Sequence, residues 1–271
     1  MPADQTGHHG PLVPRRLVLP ARLRIIAALI IRETAARFGR SVGGYLWAIA
    51  EPAGGILLLS LAFSFITRTA PIGDSFMMFY ASGLVPFLMY NNVAQSVMMS
   101  LRTNRGLLTY PIVTALDTIL ARAILETLTY LLIGLILALA IMVYDQVELH
   151  VDFARILMAV TMAFALGLGI GTMNCVLVGF FPTWQNIWAM INRPLFIASG
   201  VLFNFNSLSE DLLNILWFNP IAHVIVEMRE GIFNIDTPGF VSLPYVFGIG
   251  LGLFAFGAFL LERNESYLLQ Q

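Results

Sequence analysis

Long apolar runs follow one another along the chain, separated by short polar segments. A helix needs roughly 20 apolar residues to cross the ~30 Å hydrocarbon core of a bilayer. Six stretches approach or exceed that length, namely 45–67, 76–101, 116–143, 153–181, 187–205 and 243–261. The pattern therefore predicts an all-α membrane protein with six transmembrane helices.

The N-terminal region precedes the first long run and has a different pattern. Residues 1–21 are rich in proline and glycine, which predicts a flexible cytoplasmic tail, and residues 22–271 form the transmembrane domain. From residue 22 to 38 there is no proline, and Leu23, Ile26 and Ile30 recur at helical spacing among arginines. This segment is too charged to span and predicts a helix lying in the cytoplasmic interface of the membrane.

The segment 206–242, between the fifth and sixth runs, is too long for a tight loop and too apolar for a solvated one. The break at Asn219 and Pro220 predicts two short helices hinged at the proline. We expect their apolar faces to re-enter the outer leaflet, where protein must shield the backbone. The segment is thus predicted to hold short external re-entrant helices.

Composition excludes an ordinary water-facing surface. Only 11% of the 271 residues are charged and 58% are hydrophobic, against roughly 25% charged in soluble domains. All 15 basic residues are arginines, and most fall on the side of the membrane that holds both termini. The positive-inside rule then places both termini in the cytoplasm of a multi-pass protein.

The residue types present, and the positions of the charged ones, argue against two kinds of chemistry. Without lysine a Walker A loop cannot form, so the chain cannot be its own P-loop ATPase. The few charges in the apolar runs are scattered, which argues against an intramembrane enzyme of lipid or sugar metabolism. His223, Glu227 and Glu230 share one side of a helix, but we interpret this as a solvated face and predict no metal site.

Glu51, Arg122, Glu126 and Arg193 are charged and fall inside apolar runs, where an ionised side chain needs protein or water around it. Glu51 is expected to accept hydrogen bonds from a neighbouring helix start, and Arg122 is expected to pair with Glu126 four residues on. Arg193 either snorkels inward or faces a pore. An alternative function is a self-contained secondary transporter or channel that uses Glu51, Glu126 and Arg193.

Amide and aromatic side chains are mixed in the second and fifth runs. Interhelical hydrogen bonds and interfacial aromatic belts account for such a mixture. A sugar-conducting passage also needs it, because hydroxyls require hydrogen bonds and pyranose rings stack on aromatic faces. The candidates for lining a passage are Trp47, Glu51, Asn92, Gln95, Trp184, Trp188 and Arg193.

Glycines alternate in the fourth run, at Gly167, Gly169 and Gly171. Phosphate binding is not expected within an apolar run. Small residues at this spacing predict close packing of neighbouring helices.

Two parts of the chain resemble the permeases of ABC exporters for capsular polysaccharide and O-antigen. The first is the stretch Arg32-Glu33-Thr34-Ala35-Ala36-Arg37-Phe38-Gly39-Arg40-Ser41 with Gly44-Tyr45-Leu46-Trp47-Ala48-Ile49-Ala50-Glu51-Pro52. The second comprises Ser199-Gly200-Val201-Leu202-Phe203, then Phe218-Asn219-Pro220-Ile221-Ala222-His223, with Glu227, Arg229 and Gly231. Together with six spans and a cytoplasmic N-terminal interfacial helix, the resemblance covers nearly the whole chain from about residue 22.

The resemblance implies a homodimer in the bacterial inner membrane with two copies of a cytoplasmic ATP-binding subunit. ATP and Mg would bind that subunit, and this chain would bind no cofactor and no nucleic acid. The substrate would be a lipid-linked polysaccharide, handed in some bacteria to periplasmic and outer-membrane export proteins. Residues implied to contact the ATPase are Glu33, Arg37, Arg40, Arg102 and Arg105, and those implied for the external helices are Trp217, Asn219, Pro220, His223, Glu227 and Arg229.

Overall fold

The computed structural model describes residues 19–38, 43–66, 69–110, 112–146, 151–235, 237, 239–264 and 268. This part of the chain is all helical and contains no strand. The tail predicted for residues 1–21 lies almost entirely outside the described residues. The helices are α1 (Leu19–Phe38), α2 (Gly43–Ser64), α3 (Phe76–Met98), α4 (Ser100–Thr103), α5 (Ala115–Asp145), α6 (Phe153–Phe180), α7 (Trp184–Ala198), α8 (Glu210–Trp217), α9 (Pro220–Phe233) and α10 (Leu243–Arg263), with a 3-10 turn at Phe205–Ser207.

Four described helices are long and apolar enough to cross a membrane, namely α2 from Leu46, α5, α6 and α10. They coincide with four of the predicted runs. Of the other two, α3 carries the polar residues Asn91, Asn92 and Gln95, and α7 has 15 residues. The all-helical membrane fold is confirmed, and the count of six spans stays a prediction.

The helix α3 is the centre of the bundle. It packs against α2, α5, α6 and α9, and α6 also packs against α10 and α9. Tyr80, Tyr90 and Met98 are among its fully buried side chains. The core therefore runs along α3 and α6, and the remaining helices surround that pair.

Two opposite ends of the bundle differ in what covers them. The helix α1 packs against α5 near Arg122 and close to the C-terminal end of α3 at Ser96. The helix α9 packs against the N-terminal ends of α3 and α6, at Phe79 and Asp152. We call these the α1 end and the α9 end.

The fifth predicted run differs from the structure in its bounds. The helix α7 begins at Trp184 and ends at Ala198, so the predicted helix 187–205 is wrong over its last residues. Gly200 has φ +86°, a left-handed conformation that stops the helix, and a Cβ there would lie 2.1 Å from the ring of Phe205.

The hinge at Pro220 is confirmed, since α8 ends at Trp217 and α9 starts at Pro220. Asn219 caps α9 through its Oδ1, which accepts from the N–H of Ile221 at 3.0 Å. The interpretation of α9 as a solvated face is wrong. Every residue from 221 to 231 is buried, because α9 packs onto α6 and α3.

The alternating glycines of α6 do pack closely against neighbouring helices. A Cβ on Gly169 would lie 2.0 Å from the carbonyl oxygen of Gly250 in α10. Gly167 and Gly171 face α3, where added Cβ atoms would lie 2.8 and 2.7 Å from the Cβ atoms of Val93 and Val97. Glycine lets α6 approach both neighbours at backbone distance.

We expect Gly169→Ala to destabilise the protein by at least about 1–3 kcal/mol, because α6 and α10 must separate to admit the methyl group. The control is Gly252→Ala, whose added Cβ would meet nothing within 4 Å. Thermal unfolding in detergent compares the two variants. Equal midpoints for both would contradict the close approach of α6 and α10.

Candidate functional site

A cavity of about 490 Å³ opens at the α1 end, between α1, α3, α4 and α5. Most of the residues that line it are polar or charged, which is unusual for a bundle of apolar helices. It holds Arg32, Glu33, Ala36, Asn92, Gln95, Ser96, Met99, Thr103, Asn104, Arg122 and Glu126. We call it the inner cavity.

Glu33 is the hub of the hydrogen bonds around the inner cavity. Its Oε1 accepts from Nε of Arg122 at 2.9 Å and from Nδ2 of Asn104 at 2.8 Å. Arg122 also donates through Nη1 to the carbonyl oxygen of Ser96 at 3.0 Å. One carboxylate thus joins α1 to α5, to the residue after α4 and, through Arg122, to α3.

The pair is largely shielded from water, with side-chain exposures of 10% for Arg122 and 14% for Glu33. The predicted ion pair between Arg122 and Glu126 is wrong, because among the described residues Arg122 forms its ion pair with Glu33. Glu126 lines the same cavity. Helical spacing could suggest only a neighbour on the same helix, whereas packing of α1 on α5 brings a closer carboxylate.

Hydrogen bonds at the end of α4 and at the start of α5 fix the position of Asn104. Asn104 ends α4, and its carbonyl oxygen accepts from the N–H groups of Leu107 and Leu108 at 2.8 and 3.1 Å. A capping box of Thr114 and Asp117 then starts α5. These turns hold Asn104 in a buried position beside Glu33.

The residues implied to contact the ATPase differ in their surroundings. Glu33 bonds within the chain, whereas Arg102 and Arg105 are exposed. Arg102 also reaches the carbonyl oxygen of Val178 at 3.4 Å. The side chain of Arg37 and the whole of Arg40 lie outside the described residues.

A polar stripe on α7 faces α3 and α6. Trp184 donates from Nε1 to Oδ1 of Asn174 at 2.9 Å, and Asn192 donates from Nδ2 to Oδ1 of Asn91 at 2.6 Å. Trp188 lies between them on α7, and its Nε1 is buried without a hydrogen bond in the described part of the chain. The predicted interhelical hydrogen bonds are therefore present here.

The remaining candidates for a passage do not converge. Asn92 and Gln95 line the inner cavity, whereas Trp47, Glu51 and Arg193 are exposed on α2 and α7. The expectation that Glu51 accepts hydrogen bonds is wrong for the described residues, in which its carboxylate has none. The side chain of Glu51 is exposed.

At the α9 end, Arg229 donates hydrogen bonds to three carbonyl oxygens in the turn that follows α7. Its Nη1 donates to the carbonyl oxygens of Gly200 and Phe203 at 2.9 and 2.8 Å, and its Nη2 donates to that of Val201 at 3.1 Å. The guanidinium also lies 4.1 Å from the ring centroid of Phe79. Burial lowers the pKa of Arg229 to about 9, which leaves it charged at neutral pH.

His223 joins α9 to both neighbouring segments. Its Nδ1 accepts from the N–H of Ser242 at 3.2 Å, so its Nε2 carries the proton and donates to the carbonyl oxygen of Trp217 at 2.8 Å. The hydrogen bond that Nδ1 accepts requires a neutral imidazole, and burial lowers the pKa of His223 in the same sense. The ring lies among Trp217, Phe240 and Tyr245. Among the described residues, no group of three potential ligands could hold a metal.

Some functional positions could not be found by sequence reasoning. Asn104 carries no pattern that distinguishes it from other loop residues, and Asn174 lies in an apolar run. A lone amide inside such a run is the one signal that could have identified Asn174 as the partner of a distant helix.

We expect Arg122→Met to lower the free energy of unfolding by about 3 kcal/mol, because it leaves the carboxylate of Glu33 buried without its cation. The double variant Glu33→Met with Arg122→Met removes both charges and should recover much of that loss. Denaturant unfolding in detergent measures both. Arg193→Met, at an exposed arginine, is the control. Losses that simply add in the double variant would show that the two groups do not interact.

The sequence of the chain is similar to those of known transport proteins. Residues 24–233 match the family described as ABC-2 type transporter. The chain is 31% identical to the polysialic acid transport protein KpsM of Escherichia coli, over 90% of this chain and 95% of that protein. It is 25% identical to the capsule polysaccharide export inner-membrane proteins CtrC of Neisseria meningitidis and BexB of Haemophilus influenzae, over 89% of this chain and 91% of each.

Proposed function

The chain belongs to the ABC-2 type transporter family, and on that premise we propose that it is the membrane-spanning subunit of an exporter for lipid-linked capsular polysaccharide. The observation that carries this proposal is similarity over nine tenths of the chain to KpsM, with CtrC and BexB similar over nearly as much. The substrate would cross the inner membrane outward from the cytoplasm.

Membership in this family implies a separate ATP-binding subunit. The absence of lysine agrees with that division of labour, since the chain cannot form a Walker A loop. We propose two copies of the ATPase, which hold ATP and Mg, beneath a homodimer of this chain. The proposed contacts are two exposed arginines, Arg102 in α4 and Arg105 just after that helix.

The proposed orientation puts both termini and the α1 end in the cytoplasm, with six spans. The arginine distribution supports it. The α9 end then faces outward, and α8 and α9 are the proposed re-entrant helices. Exposed apolar residues of α8, Leu212 and Ile215, suit contact with lipid.

In the proposed mechanism, closure of the ATPase subunits on ATP pushes the loop after α3. Asn104 in that loop bonds Glu33, and Glu33 bonds Arg122 in the span α5. A displacement of the loop is thereby passed both to α1 and to α5. The polymer would move along a path between the two protomers, and periplasmic or outer-membrane proteins would receive it.

The alternative of a self-contained transporter is not favoured. Its three proposed charges lie in different surroundings, with Glu51 and Arg193 exposed and Glu126 buried at the inner cavity. Membership in a family of ATP-driven permeases also argues against it.

The test uses a strain that lacks its own capsule export permease, complemented with this chain and its ATP-binding subunit. We expect the intact pair to restore polysaccharide at the cell surface. Glu33→Gln weakens the bond to Arg122 and should reduce surface polysaccharide at least tenfold while ATP hydrolysis by the purified complex continues. Glu262→Gln, at an exposed carboxylate near the same end, is the matched control.

Failure of the intact pair to restore surface polysaccharide, together with solute or ion transport by the chain alone in vesicles, would contradict the exporter. Full export by Glu33→Gln at wild-type protein levels would contradict only the proposed role of Glu33.

A further inference from the structure

Two charged side chains in the apolar runs have no partner within the described part of the chain. Glu51 lies in α2 and Arg193 lies in α7, and both are exposed. Among the described residues, neither side chain takes part in a hydrogen bond or an ion pair. An ionised group that faces hydrocarbon is costly, so each of the two charges requires protein or water around it.

Both charges lie on helix faces that the rest of the bundle leaves uncovered. In α2, helical spacing puts Glu51 on one stripe with Trp47 and Leu58. In α7, Arg193 lies one turn after Met190 on the same side of the helix. These three apolar side chains are each more than half exposed. Each helix therefore presents an apolar face that is interrupted by one charge.

The helix α2 runs antiparallel to α3. A Cβ on Gly55 would lie 3.0 Å from Cδ2 of Leu84, and the ring centroid of Phe63 lies 5.4 Å from that of Tyr80. As residue numbers rise along α2, the numbers of the neighbouring residues in α3 fall. Since α3 starts at the α9 end, α2 runs from the α1 end towards the α9 end.

The helix α7 runs in the same direction as α2 and on the same side of α3. Asn192 bonds to Asn91, and the ring centroid of Phe196 lies 5.0 Å from that of Phe87. The residues of α3 that contact α2 or α7 in these ways are Tyr80, Leu84, Phe87 and Asn91. Their spacing of four, three and four residues puts them on one side of α3. The uncovered faces of α2 and α7 thus belong to one side of the bundle.

Glu51 and Arg193 also lie at nearly the same depth in the bundle. Glu51 is about one turn closer to the α1 end than Gly55, which lies beside Leu84. Arg193 directly follows the residue of α7 that bonds to Asn91. Counted along α3, the two charges are within about one helical turn of each other in depth. A protein surface that carries both opposite charges at this depth can pair with both at once.

We propose that this side of the bundle is an interface with a second copy of the chain, in which Glu51 of each protomer pairs with Arg193 of the other. A two-fold axis along the membrane normal keeps every residue at its own depth, so two equivalent ion pairs form by symmetry. A second copy supplies both opposite charges, whereas an anionic lipid headgroup neutralises only Arg193. The inference rests on the homodimer of the proposed function and adds the face and the charges that stabilise it.

Covalent cross-linking in the assembled complex tests the interface. Two differently tagged copies are expressed together with the ATP-binding subunit in a Cys175→Ser background, one with Glu51→Cys and the other with Arg193→Cys. A short bismaleimide is used, because an ion pair between long side chains holds the backbones further apart than a disulfide allows. We expect a covalent dimer that contains both tags. Since each copy has a single cysteine, a contact within one chain cannot give this product.

The control for cross-linking replaces Arg193→Cys with Leu251→Cys. Leu251 is exposed on α10, which packs mainly against α6. Its position is therefore accessible to the reagent but lies outside the proposed interface. We expect no covalent dimer between Leu251→Cys and Glu51→Cys.

Charge reversal tests the ion pair itself. Glu51→Arg or Arg193→Glu alone places like charges opposite each other and should lower the capture of one tagged copy by the other at least about tenfold. The double variant Glu51→Arg with Arg193→Glu restores opposite charges and should restore capture. Because neither side chain has a partner in the described part of its own chain, these changes leave the fold of the protomer intact. Glu262→Arg, at an exposed carboxylate of α10, is the control and should not change capture.

The mass of the purified complex, measured by light scattering, separates the possible failures. Two copies of this chain in the complex without any product that contains both tags would overturn the interface and leave the proposed function intact. A complex with a single copy of this chain would contradict both the interface and the proposed homodimer. Equal capture by the single and double charge variants would overturn the pairing of Glu51 with Arg193.

Discussion

The bond between Glu33 and Arg122 determines how the N-terminal helix lies on the bundle. Apolar helices in a membrane have little lateral preference, because lipid tails solvate leucine as well as another helix does. A buried ion pair is specific in a way that apolar contact is not, since breaking it leaves a charge without its partner. Through Glu33 and Arg122, three parts of the chain that are remote in the sequence acquire one arrangement, namely α1, α5 and the region from the end of α3 to Asn104.

At the opposite end of the bundle, buried polar side chains also fix how separate segments lie against each other, but the groups are different. Arg229 binds three carbonyl oxygens of the turn after α7, and neutral His223 joins α8 to the start of α10. Between these ends the contacts are close and apolar, with glycines of α6 against α3 and α10. The bundle thus has polar connections at its two ends and a tightly packed middle. The exposed faces of α2 and α7, which include Trp47 and Met190, are left for lipid or for the proposed second protomer.

The sequence predicted the elements better than the bonds between them. Apolar run length and the break at Pro220 located most of the helices to within a few residues, because hydropathy and proline act locally. The exception is α7, which ends at Ala198, seven residues before the predicted end. The partner of Arg122 was missed because Glu33 lies 89 residues away and only tertiary packing brings it near. The burial of α9 was missed for a similar reason. Its polar residues resemble a solvated face, whereas Arg229, His223 and Glu230 each have specific partners in other segments.

In the proposed mechanism, α1 and α5 move together when the ATPase subunits close, because Glu33 and Arg122 bind them to each other. The most direct measurement is the distance between spin labels at Ala35→Cys and Leu128→Cys, both exposed, in a Cys175→Ser background. Labelled protomers are diluted with unlabelled ones in the complex. If the two helices move together, we expect one distance that stays unchanged between the nucleotide-free and ATP-bound states. A shift of about one helical turn, ~5 Å, between these states would contradict it.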